Sequence, residues 1–404
     1  MLAATIRVTG DIDLAEECVQ DAYSKALTNW RESGIPMNVG AWLTTVARRR
    51  AIDVLRRRST QERLFSLMED RDNNGSSSVD GEHRPVDDRL RLIFTCCHPA
   101  LSVDTQVALT LKLLCGLTTP EVARAFLVNE ATMAARITRA KKKISTSHIP
   151  YRVPTAEDLP ERIDAVLSVV HLVFATGHTA PSGSDLVRDD LVVRSLELAR
   201  MLRELLPAQS DVTGLLALIL LTDARRRTRT SPQGDLLLLS QQDRSQWDHD
   251  AIEEGTGLVR EALRQGPAGR FALMAAIAAL HAASPSWENT DWDEIVALYD
   301  LLVVTWPSPV VALNRAAAIG LARGPDAGLD ALAALDSEPY LSNYSYLAST
   351  RATFLRDLGR RAEARASFEE ALEHSENEVE RAFLRQQIEG LKGSGSIEGS
   401  STGR

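Results

Sequence analysis

The sequence predicts an all-α protein, with two small helical units joined by a linker and followed by a larger helical body. Three observations carry that prediction. Ala, Leu, Arg and Glu dominate the composition, whereas aromatic residues make up only 5%. Apolar residues recur at three- and four-residue spacing rather than alternating, which is the period of a helix with one buried face. The 23 Gly and 16 Pro are few for 404 residues. Hydrophobic and charged fractions of 44% and 25% are globular values, and they exclude a chain disordered throughout. The length suits two or three domains.

The first helix carries an apolar stripe of Leu14, Val19, Ala22, Tyr23 and Ala26 and ends near Trp30. A turn-rich segment from Glu32 through Gly34 and Pro36 to Asn38 follows. A second helix begins near Val39, with Trp42, Leu43, Val46, Ala47, Val54 and Leu55 on its buried side. Residues 69–85 are so polar and so rich in Gly, Ser, Asn and Asp that they cannot bury a core, which predicts a flexible linker. Helical patterning resumes over 87–148. Pro150, Pro154 and Pro160 then mark a junction, beyond which helices continue to about Lys392. The Gly- and Ser-rich tail from Gly393 resembles a linker and is set aside as a remnant.

Within the long C-terminal part, Gly324 and Gly359 each close a predicted helix and precede an Ala-rich one. Tyr299 and Phe368 stand about two periods of a 34-residue helix-turn-helix repeat apart. Ala352, Leu358, Gly359, Ala364, Phe368 and Ala371 match tetratricopeptide spacing, because small residues let antiparallel helices approach and Phe368 fills the gap between them. Pro307 sits where such repeats end a helix.

Charge is distributed unevenly. Residues 1–152 carry 22 basic and 18 acidic side chains, and the remainder carries 24 and 37. A basic front half points to nucleic-acid contact by that half alone. The four cysteines, at 18, 96, 97 and 115, include no Cys-x-x-Cys pair, so a reduced cytoplasmic compartment is expected rather than a disulfide framework. No run of 18 uncharged residues predicts a membrane span. Early acids at Asp11, Asp13, Glu16 and Glu17 do not fit a signal peptide. Cys96, Cys97 and His98 lack a second ligand pair at zinc-finger spacing, and His171 and His178 lack nearby carboxylates. The two cysteines are read as buried thiols and the two later histidines as core or capping residues, with no metal or cofactor expected. No phosphate loop or nucleophile elbow appears, so no catalytic residues are assigned.

Residues 118–144 carry the clearest motif. Thr118 and Glu121 form a capping box with Pro120 in the first turn, starting a short helix that buries Val122, Ala123 and Phe126. Asn129 caps a second helix that buries Met133, Ile137, Ala140 and Ile144. Its opposite side presents Glu130, Thr132, Arg136, Arg139, Lys141, Lys142 and Lys143. Two short helices with a tight turn at Leu127–Asn129 and a basic second helix describe a helix-turn-helix able to enter a DNA major groove. Upstream, Arg48–Arg50 and Arg56–Arg58 recur about two helical turns apart, so part of each cluster shares one face suited to phosphate.

Trp42, Leu43, Ala47, Arg48, Asp53, Arg56 and Arg57 resemble the promoter-melting helix of sigma-70 family factors. Asp13–Asp21 resembles the helix by which those factors grip the polymerase clamp, and 118–144 is similar to their −35-reading motif. Segments around Cys96-Cys97-His98, Asp223-Ala224-Arg225-Arg226 and Asp243-Arg244-Ser245-Gln246-Trp247 resemble the extracytoplasmic-function subgroup with a long tetratricopeptide-like extension. The resemblance covers about 1–392 and implies five segments. Region 2 would occupy 1–62, a linker 63–86, region 4 87–150, the helical extension 151–392 and a tail 393–404. The chain opens inside what the resemblance makes the first helix of the clamp-binding domain.

The implied function is an alternative sigma factor, not an enzyme, acting in the cytoplasm. Glu17, Gln20 and Asp21 would bind core RNA polymerase. Asn38, Arg48, Arg49, Arg56 and Arg57 would contact −10 DNA, with Asn38 serving a flipped base or simply an N-cap. Glu130, Thr132, Arg136 and Arg139 would address −35 bases, and Lys141 and Lys142 phosphate. Ala134 and Ala135 leave base readout to few side chains. Trp42 reads as core rather than as a DNA stacker. The acidic extension would regulate activity by binding an unidentified protein or by packing on the small domains, with no membrane partner. The alternative is a tetratricopeptide scaffold tethered to DNA without polymerase contact.

Overall fold

The computed structural model describes residues 1–66, 88–126, 128–155 and 157–392, with side chains described outside 58–66. The expected linker, 63–86, begins within the described end of a helix that runs to Ser66, and its remainder from 67 lies outside the described residues, as do the turn residue Leu127, the Arg58 side chain and the tail 393–404. The described residues are overwhelmingly helical, as predicted. Packing divides the chain into two units, Met1–Val169 and the residues from Val170 onward.

In the first unit, α1 (Leu2–Thr9) ends at Gly10, whose left-handed φ of 66° turns the chain so that its N–H reaches Ile6 O. Asp11 then caps α2 (Ile12–Ser33) by accepting from Leu14 N at 2.8 Å. Ala15, Ala22, Ala47 and Ala51 are fully buried, so α2 and α3 (Val39–Ser66) approach closely along small side chains. Leu14 and Cys18 fill one end of that seam, and Leu43 and Ala26 the other. Tyr23 departs from the sequence reading: it is 52% exposed. The stripe needed only residues 14, 18, 22 and 26, each four apart, with Ala15 three before Cys18, and Tyr23 falls just outside it.

Helices α4 (Asp88–Cys96), α5 (Val103–Leu113), α6 (Thr119–Ala125) and α7 (Glu130–Thr146) complete this unit. Phe94, Ile93, Leu109 and Met133 of these helices are buried. Emptying the Phe94 site would cost about 3–5 kcal/mol by the usual price of such truncations. The Tyr151 hydroxyl lies 2.8 Å from Ala3 O and 3.0 Å from Asp88 O, joining α1 to α4. Cys96 and Cys97 are fully buried, and burial pushes both thiols up, Cys97 to about 12. Thiols held protonated in this way are poor metal ligands.

The division between the units falls within α8 (Leu159–His178). The second unit contains α9 (Asp189–Leu205), α10 (Ser210–Asp223), α11 (His249–Arg264) and α12 (Arg270–Ala283). Every residue of α10 from Val212 to Leu221 is buried, as its lack of a polar face requires. A Cβ on Gly214 would stand 2.5 Å from Ala272 N, so α10 and α12 touch backbone to backbone. Further along lie α13 (Trp292–Thr305), α14 (Pro309–Arg323), α15 (Pro325–Ala333), α16 (Ser345–Asp357), α17 (Arg361–His374) and α18 (Glu378–Lys392). Gly324, immediately after α14, and Gly359, two residues past the end of α16, take positive φ values of 98° and 77°. Ala352, Ala364, Phe368 and Ala371 are buried where α16 and α17 pair.

Two features of this unit have no sequence signal. Ser182–Gly183 pairs in parallel with Glu376–Asn377, forming a two-residue ladder. The buried Asn377 amide nitrogen donates to Ala180 O at 3.0 Å and to Asp185 O at 2.9 Å. His178 is buried and His171 half-buried, each beside an aromatic ring, Phe174 and Phe271 respectively. Among the described residues no helix is long and apolar enough to cross a membrane.

Candidate nucleic-acid interface

The helix-turn-helix forms as its local chemistry dictates. Thr118 N donates to Glu121 Oε2 at 2.6 Å, and Glu121 N donates back to Thr118 Oγ1 at 3.4 Å. Asn129 Oδ1 accepts from Thr132 N at 2.8 Å, starting α7. Met133, Ile137, Ala140 and Ile144 are buried, all four in the predicted register. That register exposes Glu130, Thr132, Arg139, Lys142 and Lys143. Phe126 is half-buried, with the Arg136 guanidinium 5.4 Å from its ring centre.

Arg136 and Lys141 have internal partners that spacing alone did not reveal. Arg136 lies 3.6 Å from Asp104 of α5. Lys141 Nζ donates to Asp13 Oδ1 at 2.9 Å and also pairs with Glu16, both on α2. The Lys141 side chain is only 11% exposed. Burial disfavours its ammonium, but hydrogen bonds to Glu16 and Asp13 outweigh that cost and hold its pKa above the ordinary value. A shallow cleft beside α7 is lined by Ser102, Thr105, Arg136, Arg139 and Lys143. Two guanidinium groups, an ammonium and two hydroxyls facing one cleft can hold a phosphate oxygen cluster. Ser102 and Thr105 were missed because only the fold brings the start of α5 beside α7.

On α3, Arg48, Arg49, Arg56 and Arg57 are all exposed. Asn38 Oδ1 accepts from Ala41 N at 2.9 Å, so this residue caps the helix. The preceding loop projects two bare apolar side chains, with Ile35 73% exposed and Met37 fully exposed. Trp42 is half-buried, its ring 5.4 Å from that of Trp30 and tilted by 58°.

On α2, Glu17 and Gln20 are exposed, whereas Asp21 accepts from Arg50 Nε at 2.7 Å. Tyr23 and Leu27, at 52% and 69% exposure, continue the Gln20 face along the next two turns. Sequence reading missed both as surface residues; their i+3 and i+7 spacing from Gln20 was the available signal.

Comparison with known proteins agrees with this arrangement. Residues 2–61 match the sigma-70 region 2 family, and residues 91–144 match sigma-70, region 4. Residues 162–263 match a family of unknown function, DUF6596. An uncharacterized protein of Rhizobium meliloti (strain 1021) is 41% identical over 395 residues, which span 96% of this chain and 93% of that protein. The "Probable ECF RNA polymerase sigma factor SigI" of Mycobacterium tuberculosis (strain ATCC 25618 / H37Rv) is 30% identical over 154 residues. That match covers 37% of this chain and 52% of SigI. With regions 2 and 4 in order and a further helical part behind them, the chain belongs to the extracytoplasmic-function sigma factors of the sigma-70 family that carry a C-terminal extension.

Proposed function

We propose that this sigma factor binds core RNA polymerase through the outer face of α2, opens −10 DNA with α3 and its preceding loop, and reads −35 DNA with α7. The observation that carries the polymerase contact is the row formed by Glu17, Gln20, Tyr23 and Leu27. Large apolar side chains bare beside polar ones mark a protein-binding face more than a solvated one. Asp21 contributes by holding Arg50 rather than by direct contact.

Strand opening requires a base to leave the stack, which costs a few kcal/mol. Ile35 and Met37 offer apolar surface to an extruded base, and Arg48, Arg49, Arg56 and Arg57 supply phosphate contacts along the same helix. In the −35 element, Glu130 and Thr132 at the start of α7 face bases. Arg139, Lys142 and Lys143 hold the backbone. Lys141 joins them after exchanging Glu16 and Asp13 for phosphate. The extension regulates this activity through an unidentified protein partner. Leu301 and Val304, 57% and 83% exposed on one side of α13, supply an apolar contact surface. The protein acts in the cytoplasm, where polymerase and promoter are.

Co-elution with bacterial core RNA polymerase on gel filtration tests the reading. The wild-type chain should co-elute, and Gln20→Arg combined with Tyr23→Asp should not, while keeping its helical circular dichroism. Equal co-elution of the double variant would refute the α2 assignment. DNA binding without any polymerase binding by wild type would instead favour a tethered scaffold.

A further inference from the structure

A cavity of about 350 Å³ lies in the second unit between α10, α12, α13 and α14. Its body is apolar, formed in part by Met274, Ile277, Leu302 and Val311. One permanent cation lines it: Arg225, just beyond the end of α10. No carboxylate lines the cavity, and Arg225 has no ion-pair partner among the described residues. His281 lines the same space, and its Nδ1 is buried without a hydrogen-bonding partner.

The walls around Arg225 are rigidly held. Trp247 Nε1 donates to Thr228 Oγ1 at 2.9 Å, and the Arg244 guanidinium lies 4.6 Å from the Trp247 ring centre. Arg244 in turn donates to His281 O and Ser284 O, each at 2.7 Å. Arg244 is therefore committed to structure, whereas Arg225 is not. Burial and the neighbouring charge of Arg229 push the Arg225 guanidinium down to about 10, still fully protonated near neutral pH. Burial, with Arg225 and Arg244 nearby, lowers His281 to about 4, so it stays neutral. The cavity thus holds a single positive charge, apolar surface and neutral hydrogen-bonding groups from Thr222, Tyr299 and His281.

We propose that this cavity binds a small organic monocarboxylate with an aliphatic or aromatic body, its carboxylate on Arg225. A guanidinium fork matches a carboxylate in two parallel hydrogen bonds. One positive charge balances one negative charge, which disfavours a doubly charged phosphate. The volume falls at the lower end of small-molecule sites, roughly 300–1,000 Å³. Nothing in this site depends on how the chain contacts polymerase.

Thermal unfolding and tryptophan emission of the full chain test the proposal. The probes are phenylacetate and hexanoate, with phenylacetamide, acetate and inorganic phosphate as comparisons. Phenylacetate and hexanoate should raise Tm with the logarithm of their concentration above Kd, by roughly 5–10 °C at a hundredfold excess, and should shift Trp emission saturably. Phenylacetamide lacks the charge and acetate lacks the body, so both should have little effect. Equal stabilisation by phenylacetamide, stabilisation by phosphate alone, or no response to either carboxylate would overturn the proposal.

Arg225→Met should abolish the response and leave the unliganded Tm unchanged or higher, because it removes an unpaired charge. A fall of about 4 °C or more, or failure to fold, would mark Arg225 as a structural cation at the end of α10 and overturn the assignment. Ala278→Phe fills the cavity from α12 with Arg225 in place. Its response to phenylacetate should vanish, and a retained response would place binding elsewhere.

Discussion

Replacing Glu16 by Gln should tighten binding of the whole chain to DNA, although Glu16 lies on α2 and far in sequence from α7. If α7 meets DNA as proposed, Lys141 reaches phosphate only by leaving Glu16 and Asp13. Glu16 is 28% exposed and faces an ammonium with 11% exposure, so their bond is charge-assisted and partly shielded from water. Such bonds contribute about 1.5–3 kcal/mol, and discounting for screening leaves roughly 1–2 kcal/mol. At 1.4 kcal/mol per tenfold, Glu16→Gln should raise DNA affinity by about 5–30-fold. Asp13 is 73% exposed, and Asp13→Asn should therefore gain only about twofold. Fluorescence anisotropy with a labelled 20-base-pair duplex over a salt series measures both the affinity and the number of phosphate contacts. Glu17→Gln is the control, since it makes the same charge change on the exposed side of α2. Lys141→Met should flatten the salt dependence by about one phosphate, a slope change near 0.9. The reasoning is refuted if Glu16→Gln gains no more than Glu17→Gln, or if Lys141→Met leaves the slope unchanged.

Three further outcomes follow from the packing and the buried groups. Gly214→Ala should lower stability by roughly 1–3 kcal/mol, because its new Cβ would meet Ala272 backbone that cannot turn aside; thermal unfolding reads this directly. Thr118→Ala removes a helix cap and should cost about 1 kcal/mol, with faster amide exchange over 119–122 and little change at α3. Burial, reinforced by nearby arginines, holds His171 and His281 at about 4, below the ordinary 6.5. As pH falls below 6.5 the unfolded chain takes up protons that the folded one refuses. Stability that is present above pH 6.5 should therefore be lost between 6.5 and 4, by up to about 1.4 kcal/mol per pH unit per histidine. Substituting Phe at either position should flatten that slope in acid unfolding curves, and an unchanged slope would refute the assignment.

The helices of the DNA-binding half were legible because their signals are local. A capping box needs residues three apart, and the buried register of Met133, Ile137, Ala140 and Ile144 follows from 3.6 residues per turn. Neither requires knowledge of distant chain, and both appear where spacing puts them. The same holds for α10, whose apolar residues on every side demand burial on every side. Partners across the fold were not legible. Nothing near Lys141 in the sequence points to Glu16, and a run of three lysines reads as uniformly exposed until α2 is packed beside it. Tyr23 looked buried because it stands four residues after Val19 and three before Ala26, yet the small residues that seat α2 on α3 rotate it to the surface. Asn377 finds its carbonyls at Ala180 and Asp185, and Arg225 acquires its cavity only when α12, α13 and α14 close around the end of α10. Periodicity and capping act over one or two turns, so the chain itself specifies them. Charge pairing, burial of polar groups and cavities arise between segments far apart in sequence, and these the tertiary packing decides.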